Sequence, residues 1–211
     1  MLDHSTLPGI PVLAVLRGIT PDEILPIADS LITAGIRRIE VTLNSPHALA
    51  SIQSLVTAWP QDVLIGAGTV LNAQEVARLS DIGCHLVVSP NFSAEVVRAT
   101  KAAGMLSCPG VFTPSEAFSA LSEGADLLKY FPAGLNGPAA ITAWRAVLPD
   151  GTPIIATGGT NAETLSSWLS SNVDMIGVGS ALFTPGDTCA AVALKAKRLA
   201  DAFAEFEARH G

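Results

Sequence analysis

The chain has 211 residues, of which 49% are hydrophobic and 15% are charged, and its formal net charge is −7. Such an acidic chain is a poor partner for nucleic acid and for anionic membrane surfaces, and no apolar run approaches the roughly 20 residues of a membrane-spanning helix. Because globular domains usually carry about 25% charged residues, the low charged fraction indicates that other subunits cover part of the surface, so we expect an oligomer.

Eight short apolar segments follow one another along the chain, as expected of strands that are buried on both faces of a parallel sheet. They span residues 11–17, 37–43, 63–68, 85–90, 105–110, 126–132, 153–159 and 175–182. The spacing leaves room for one helix after each strand. This pattern predicts the α/β class and one (β/α)8 TIM barrel domain over residues 1–211. An open doubly wound sheet is the structural alternative, but no GxGxxG motif follows the first strand.

The predicted helices have recognisable ends. Residues 20–23 and 113–116 both read Thr-Pro followed by acidic positions, which is typical of an N-cap, a first-turn proline and acids near the helix N-terminus. Glycines follow four helices, at positions suited to the left-handed residue after a helix, namely Gly35, Gly83, Gly104 and Gly124. A last helix is expected over residues 187–208.

Cysteine and histidine usage gives no framework for a disulfide or a metal. Cys84, Cys108 and Cys189 are scattered, without a CxxC pair, which favours buried, reduced thiols in a cytoplasmic protein. No basic-then-apolar signal segment opens the chain. The four histidines form no HxH or HxxxH pair, so we expect no catalytic metal.

A barrel of this type carries its chemistry at the carboxyl ends of the strands, which draws attention to Lys129. It is the one lysine of four that falls within a predicted strand, between Leu128 and Tyr130. A lysine paired with an acid for structural reasons is the alternative interpretation. A lysine that points into the barrel is desolvated, which disfavours its ammonium form and leaves an amine that can attack a carbonyl to form a Schiff base.

Glu40 is the second charged residue within an apolar strand. Period-two alternation places its side chain on the opposite face from Ile39 and Val41. It either neutralises Arg17 or Lys129, or serves as a general acid and base beside the amine, and the two roles are compatible. A Schiff base withdraws electrons from the neighbouring carbon, so a carboxylate that moves protons completes the minimum set for carbon–carbon cleavage through an enamine.

Two glycine-rich stretches, Thr157-Gly158-Gly159 and Gly177-Val178-Gly179-Ser180, end the seventh and eighth predicted strands. Glycines expose backbone N–H groups to an oxyanion, and the loops after these two strands are the usual phosphate position in this barrel. Arg17 ends the first strand, where a guanidinium can clamp a carboxylate, and Thr69 can add a hydroxyl donor.

At this point the chain resembles the aldolases that cleave 2-keto-3-deoxy-6-phosphogluconate and 2-keto-3-deoxy-6-phosphogalactonate, which are class I pyruvate aldolases. The similarity extends along nearly the whole chain, and the order and spacing of its IGAGTVL and K-x-F-P pieces are the most specific. The stretches that carry it are LRGITPDE (16–23), IEVTLNSP (39–46), IGAGTVLNAQEV (65–76), VVSPN (87–91), LLKYFPA (127–133), ATGG (156–159) and GVGSALF (177–183).

The resemblance implies a role for each matching residue. Lys129 matches the Schiff-base lysine and Glu40 matches the carboxylate base. Arg17 and Thr69 match contacts to the pyruvate carboxylate, and Pro90 lines the pocket. The other matching positions pack by the lysine or bind phosphate, namely Phe131, Thr157, Gly158, Gly159, Gly179 and Ser180. Family members are commonly trimers and need no metal or other cofactor, so the resemblance implies a homotrimer that acts on a phosphorylated keto-deoxy sugar acid and releases pyruvate.

Two features bear on which sugar acid is cleaved. Asn44-Ser45-Pro46 stands where phosphogluconate-type enzymes typically have Arg-Thr, and together with Leu16-Arg17-Gly18 it resembles the phosphogalactonate type. Thr157 resembles the phosphogluconate type instead. The substrates differ only in the configuration of the C4 hydroxyl, so one hydroxyl-bearing side chain can select one of them or permit both. We therefore predict a 2-dehydro-3-deoxy-6-phosphogalactonate aldolase, with the gluconate-type or a dual-specificity enzyme as the alternative.

Two functions of other classes use some of the same residues. A phosphosugar isomerase or epimerase on this barrel would need the phosphate loops and one carboxylate, with Lys129 only as an electrostatic helper. A barrel that binds a phosphorylated ligand without catalysis is also compatible with the fold.

Overall fold

The computed structural model describes residues 7–210, in which strands and helices alternate. Nine strands form one parallel sheet: β1 (Val12–Leu16), β2 (Arg38–Thr42), β3 (Leu64–Gly68), β4 (Leu86–Val88), β5 (Leu106–Cys108), β6 (Gly110–Val111), β7 (Leu128–Tyr130), β8 (Ile154–Thr157) and β9 (Met175–Val178). The helices are α1 (Pro21–Thr33), α2 (Ala48–Ala58), α3 (Ala73–Asp81), α4 (Ala94–Ala102), α5 (Pro114–Ser122), α6 (Ala139–Arg145), α7 (Ala162–Leu169) and α8 (Cys189–His210), with a 3-10 turn at Ala133–Leu135. The predicted (β/α)8 barrel is confirmed.

The sheet closes at one proline. Its strand order is β5-β4-β3-β2-β1-β9-β8-β7-β6, so the two ends of the sheet are the consecutive strands β5 and β6. Only Pro109 separates them. Proline has no N–H to donate to a strand ladder, but its carbonyl accepts a hydrogen bond from the Lys129 N–H at 2.9 Å. The predicted single strand over residues 105–110 is therefore wrong at this residue, although the barrel still contains eight strand-and-helix units.

Alternation along the strands sorts side chains between the barrel interior and the helices. The outward-facing residues pack with the helices in a large core that includes Ile39, Val41 and Tyr130. The inward-facing residues form a second apolar cluster of Leu13, Leu64, Leu86, Val88, Leu106, Cys108, Leu127, Ile155 and Met175, together with Leu7. Because Glu40 and Lys129 alternate with outward-facing neighbours, both project into the barrel interior, a direction that the sequence left open.

The helix ends match the sequence signals. The Glu116 N–H donates to the Thr113 side chain at 3.3 Å, and the Thr113 N–H donates back to the Glu116 carboxylate at 2.8 Å. The Thr20 N–H makes the equivalent bond to Glu23 at 3.0 Å. The four glycines predicted after helices, at 35, 83, 104 and 124, have φ values between 72° and 93°. Caps of this kind each contribute about 1 kcal/mol and fix where the loops at the barrel rim begin.

The cysteines depart from one expectation. Cys84 and Cys108 are buried free thiols, but Cys189 is exposed at the start of α8, so the prediction of burial is wrong for this residue. Across residues 7–210, no helix combines the length and the apolar character needed to cross a bilayer.

Candidate active site

A cleft of about 730 Å³ opens at the carboxyl ends of the strands. Its volume lies within the range of small-molecule binding sites. The predicted site residues that line it come from six segments of the barrel rim: Arg17, Thr69, Pro90, Lys129, Phe131, Thr157, Gly158, Gly159, Gly179 and Ser180. Glu40 lies just beneath the wall of the cleft and is completely buried. The structure thus brings together all eleven of the residues that the sequence singled out.

Lys129 and Glu40 form a buried pair at the floor of the cleft. The Lys129 Nζ atom lies 3.9 Å from Glu40 Oε1, and the two side chains are 8% and 0% exposed. This distance exceeds that of a hydrogen bond, so the carboxylate neutralises the amine without binding it directly. Neither Glu40 oxygen has a hydrogen-bond partner among residues 7–210. The ring of Phe131 lies beside the amine, with its centroid 5.4 Å from Nζ.

The position of the Glu40 carboxylate depends on Gly68, in the adjacent strand β3. A Cβ atom at this glycine would collide with Glu40 Oε1 and would lie 2.5 Å from the Glu40 Cδ atom. Any side chain at residue 68 would therefore push the carboxylate away from its present place. The glycine is required for space and not for backbone conformation, since its φ is not positive.

The Cys108 thiol lies in the same buried environment as Lys129 and Glu40. Burial raises the pKa of its thiol to about 12, although the charge of Lys129 opposes this rise and the charge of Glu40 adds to it. The thiol therefore stays protonated at neutral pH. Within residues 7–210, no three His, Cys, Asp or Glu side chains are grouped so that they could hold a metal ion.

Arg17 and Thr69 face each other across one side of the cleft. Arg17 Nη2 donates to Thr69 Oγ1 at 3.5 Å, and the arginine side chain is otherwise exposed. Thr69 has a φ of 59°, a left-handed conformation that is unfavourable for a β-branched residue. Such local strain is characteristic of ligand sites, where the surrounding structure enforces it. The pair offers a guanidinium and a hydroxyl to a carboxylate group.

The glycine loops after β8 and β9 form a second part of the cleft lining, and β9 is a neighbour of β1 in the sheet. Gly158 and Gly159 both have positive φ values, 92° and 83°. Gly158 packs against the Phe131 ring. Gly159 packs closely against Gly134, and a Cβ atom added at residue 159 would lie 3.2 Å from the Gly134 Cα atom. Backbone groups there are consequently open to the cleft. Asn161 then caps α7 by accepting a hydrogen bond from the Thr164 N–H at 2.9 Å.

Thr157 also lines the cleft, at the end of β8 and directly before Gly158. Its Oγ1 atom is buried and has no hydrogen-bond partner among the residues that the structure describes. Gly177 in the neighbouring strand leaves room for it, since a Cβ atom there would collide with this oxygen. The hydroxyl is therefore free to bond to a group bound in the cleft.

Sequence analysis missed part of the rim. Cleft-lining residues that it did not single out are Val15, Gly18, Thr160, Asn161, Ala181, Phe183, Thr184 and Pro185. Most of them extend the loops after β8 and β9 by a few residues, so the glycine motifs could have located those. They carry few charges. Among the described lining residues only Arg17 and Lys129 are cationic, so an anion bound near the glycine loops would rely on backbone N–H groups.

Comparison with known proteins agrees with this geometry. A family model described as "Aldolase: KDPG and KHG aldolase" matches residues 4–193. The chain belongs to this family. The family match covers the barrel strands and the cleft described above.

Individual relatives give a finer comparison. The 2-dehydro-3-deoxy-6-phosphogalactonate aldolase of Escherichia coli (strain K12) is 42% identical over 196 residues, which cover 93% of this chain and 96% of the relative. A solved structure titled "Native KDPGal structure" has a TM-score of 0.93 and 40% identity, with 99% of this chain and 100% of that chain covered. A KDPG aldolase structure from Legionella pneumophila, with pyruvate captured as a covalent carbinolamine intermediate, has a TM-score of 0.79 and 28% identity over 93% of both chains.

Proposed function

We propose that this family member is a class I aldolase that cleaves 2-dehydro-3-deoxy-6-phosphogalactonate into pyruvate and glyceraldehyde 3-phosphate. The observation that carries the proposal is the placement of the Lys129 amine, which borders the cleft 3.9 Å from the fully buried carboxylate of Glu40. A site that only binds a phosphorylated ligand has no need of a buried amine beside a buried carboxylate, because each of these groups is costly to desolvate.

Lys129 acts as the nucleophile. Its ammonium first releases one proton to solvent, and the resulting amine attacks the C2 ketone of the substrate to give a carbinolamine; the carbinolamine then takes up one proton and loses water, which leaves a protonated Schiff base. This cation draws electrons from the C3–C4 bond. The carbinolamine captured in the Legionella relative is the chemical species that this step requires, and it supports the same chemistry here.

Glu40 moves the protons. It accepts the proton of the C4 hydroxyl while the C3–C4 bond breaks, which releases glyceraldehyde 3-phosphate and leaves the enamine of pyruvate. It then returns a proton to C3, and water hydrolyses the Schiff base to free pyruvate and the lysine. The 3.9 Å gap and the absence of a competing partner for either carboxylate oxygen in the described chain support this role.

The carboxylate and the phosphate at the two ends of the substrate bind in different parts of the cleft. Arg17 and Thr69 bind the C1 carboxylate, next to the carbon that Lys129 attacks. The backbone of Gly158, Gly159 and Gly179, with Ser180, binds the phosphate at the far end. Pro90 and Phe131 complete the walls around the reacting ketone.

The galactonate configuration at C4 is supported by the comparisons and by the β2–α2 loop. Identity to the Escherichia coli phosphogalactonate aldolase is 42%, against 34% to the 2-dehydro-3-deoxy-phosphogluconate aldolase of Pseudomonas aeruginosa. Asn44-Ser45-Pro46 follows the phosphogalactonate pattern, and Arg17 supplies the guanidinium. Thr157 has an unpartnered hydroxyl that borders the cleft, and this observation favours a second, slower activity on the gluconate epimer.

Borohydride trapping tests the role of the lysine. With pyruvate present, reduction should leave one 1-carboxyethyl group on the Lys129 nitrogen, which peptide mass spectrometry would locate. Lys101 is a matched internal control, since its Nζ atom is held 2.6 Å from Asp126 on the outside of the barrel. The Lys129→Ala variant should lose trapping and turnover together. Turnover that survives in this variant, or inactivation that maps to Lys101, would exclude the mechanism and favour an isomerase or a binding protein.

A coupled assay tests the substrate. Pyruvate release from the two C4 epimers, followed with lactate dehydrogenase and NADH, gives kcat/KM for each. We expect the galactonate epimer to be preferred and the Thr157→Val variant to lose residual activity on the gluconate epimer. Equal kcat/KM values for the two epimers would make the enzyme a dual-specificity aldolase instead.

We further propose that the enzyme is a cytoplasmic homotrimer. The resemblance to trimeric aldolases supports this assembly, as do the low charged fraction of 15% and exposed apolar side chains such as Phe118 on α5 and Leu71 after β3. Free thiols support a reducing compartment. Light scattering on the purified protein should give three times the monomer mass, and a monomer at micromolar concentration would exclude the assembly.

A further inference from the structure

Ser45, in the loop after β2, makes an unusual set of contacts with the end of β1. Its side-chain oxygen accepts a hydrogen bond from the Gly18 N–H at 2.8 Å and lies 3.5 Å from the Leu16 carbonyl oxygen. The same oxygen lies 3.1 Å from the hydroxyl of Thr42. One hydroxyl thus contacts the backbone on both sides of Arg17.

These contacts use the full capacity of the hydroxyl. A serine oxygen can donate one hydrogen bond and accept two. Donation to the Leu16 carbonyl, with acceptance from the Gly18 N–H and from Thr42, satisfies all three. Ser45 is 7% exposed and Thr42 is completely buried, so water does not compete freely for these bonds. The three hydrogen bonds hold the Ser45 side chain in place, and they hold the groups that it contacts equally firmly.

The Arg17 side chain has little else to orient it. It is exposed, and its one hydrogen bond within residues 7–210 is the 3.5 Å contact with Thr69. Because the guanidinium of Arg17 is weakly held, the direction of this side chain depends on the position of the Arg17 backbone. On the other flank, Gly18 packs against Pro185, and a Cβ atom at residue 18 would approach the proline ring to 2.7 Å. Ser45 and Pro185 therefore hold this turn of backbone from two sides.

We infer that Ser45 is a positioning residue for substrate binding: its hydroxyl fixes the backbone on both sides of Arg17 and so aims the guanidinium at the substrate carboxylate. The inference rests on the proposed role of Arg17 as the carboxylate clamp. It assigns a purpose to the Asn44-Ser45-Pro46 loop that does not involve contact between this loop and the substrate. Lys129 lies on β7, and Glu40 is held within β2 by pairing with β1 on one side and β3 on the other, so loss of the serine hydroxyl should disturb binding and leave the chemical step intact.

Steady-state kinetics with 2-dehydro-3-deoxy-6-phosphogalactonate distinguishes positioning from a general structural role. Ser45→Ala should raise KM about three- to tenfold, the range expected from one lost buried hydrogen bond, and should change kcat by less than about twofold. Ser51→Ala is the matched control. Ser51 is a buried serine on α2, the helix after the Ser45 loop, but its hydroxyl has no partner in the described chain, so neither constant should change.

A double-mutant cycle supplies the decisive comparison. If Ser45 acts through Arg17, then Ser45→Ala should add nothing to the KM of an Arg17→Ala variant. Multiplying effects, or an unchanged KM in Ser45→Ala, would overturn the inference while the aldolase mechanism stands. An unchanged KM in Arg17→Ala itself, with trapping on Lys129 intact, would remove the proposed clamp and the inference with it. Should Ser45→Ala not fold, Ser45→Cys replaces the oxygen with a weaker acceptor and is judged by the same cycle.

Discussion

A methyl group added at residue 68 should impair proton transfer by Glu40 and leave Schiff-base formation at Lys129 intact. In Gly68→Ala, the new Cβ would occupy the place of the Glu40 carboxylate, which is completely buried and has to move. Overpacking of this kind destabilises by about 1–3 kcal/mol. A displacement on the order of 1 Å between a catalytic group and its target can lower turnover about 100-fold. We therefore expect kcat to fall by about that factor.

Gly66→Ala is a control from the same face of the same strand. A Cβ atom there would meet the Leu86 side chain at 3.2 Å and the Leu86 carbonyl oxygen at 3.3 Å, which are tight contacts but milder than the collision with the Glu40 carboxylate at residue 68. Gly66→Ala adds the same volume as Gly68→Ala but does not take the place of the Glu40 carboxylate. Its kcat should therefore stay within about threefold of the wild type. Both variants should retain borohydride trapping with pyruvate, because Lys129 lies on another strand. The coupled pyruvate assay measures kcat, and urea unfolding measures stability. Wild-type turnover in Gly68→Ala, or equal losses in both variants, would refute the assigned role of the Glu40 position.

Three further outcomes follow from buried groups. The hydroxyl of Tyr130 is buried without a partner among residues 7–210, so Tyr130→Phe should raise the free energy of unfolding in urea by about 1 kcal/mol, and a less stable variant would contradict this. At pH 8, Ellman's reagent should modify Cys189 alone, because burial raises the pKa values of Cys84 and Cys108 to about 11 and about 12, and fast reaction of a second thiol would be inconsistent with that burial. Burial lowers the pKa of His85 below its ordinary value of 6.5, so the unfolded chain binds the proton first as pH falls. The contribution of His85 to the free energy of unfolding should be fully present above pH 6.5 and should decrease as the pH falls from there towards the folded-state pKa. The free energy of unfolding of His85→Asn should lack this decrease.

Much of the barrel could be predicted from the sequence, because its determinants are local. Continuous apolar runs, threonine caps and glycines after helices each act within a few residues, and each of the eight predicted segments contains a strand, although one of them is divided at Pro109. The break at Pro109 could not be predicted in the same way. It depends on where the two ends of the sheet meet, which are β5 and β6 on either side of Pro109, and on the hydrogen bond from the Lys129 N–H of β7 to the Pro109 carbonyl.

The candidate site was predictable to the extent that its residues break a local pattern. Lys129 and Glu40 are conspicuous as single charges in apolar strands, and strand alternation places each on the opposite face from its apolar neighbours, while the structure shows that this face is the barrel interior. Gly68 and Ser45 are not conspicuous in this way. Their importance comes from a neighbour that is distant in sequence, the Glu40 carboxylate for Gly68 and the Gly18 N–H for Ser45. Only the folded chain brings these partners together.

The buried pair itself argues that function, and not stability, maintains this site. Two unit charges about 4 Å apart attract by about 4 kcal/mol at an effective dielectric constant near 20. Removal of each ion from water costs several kcal/mol, which such an attraction offsets only when additional hydrogen bonds satisfy the remaining atoms. Here the carboxylate has no hydrogen bond within the described chain, and the rest of the barrel interior shows that apolar residues pack well at neighbouring positions. Leucine or methionine at residues 40 and 129 would avoid the penalty, so the charges are explained by the chemistry they perform on a bound ketone.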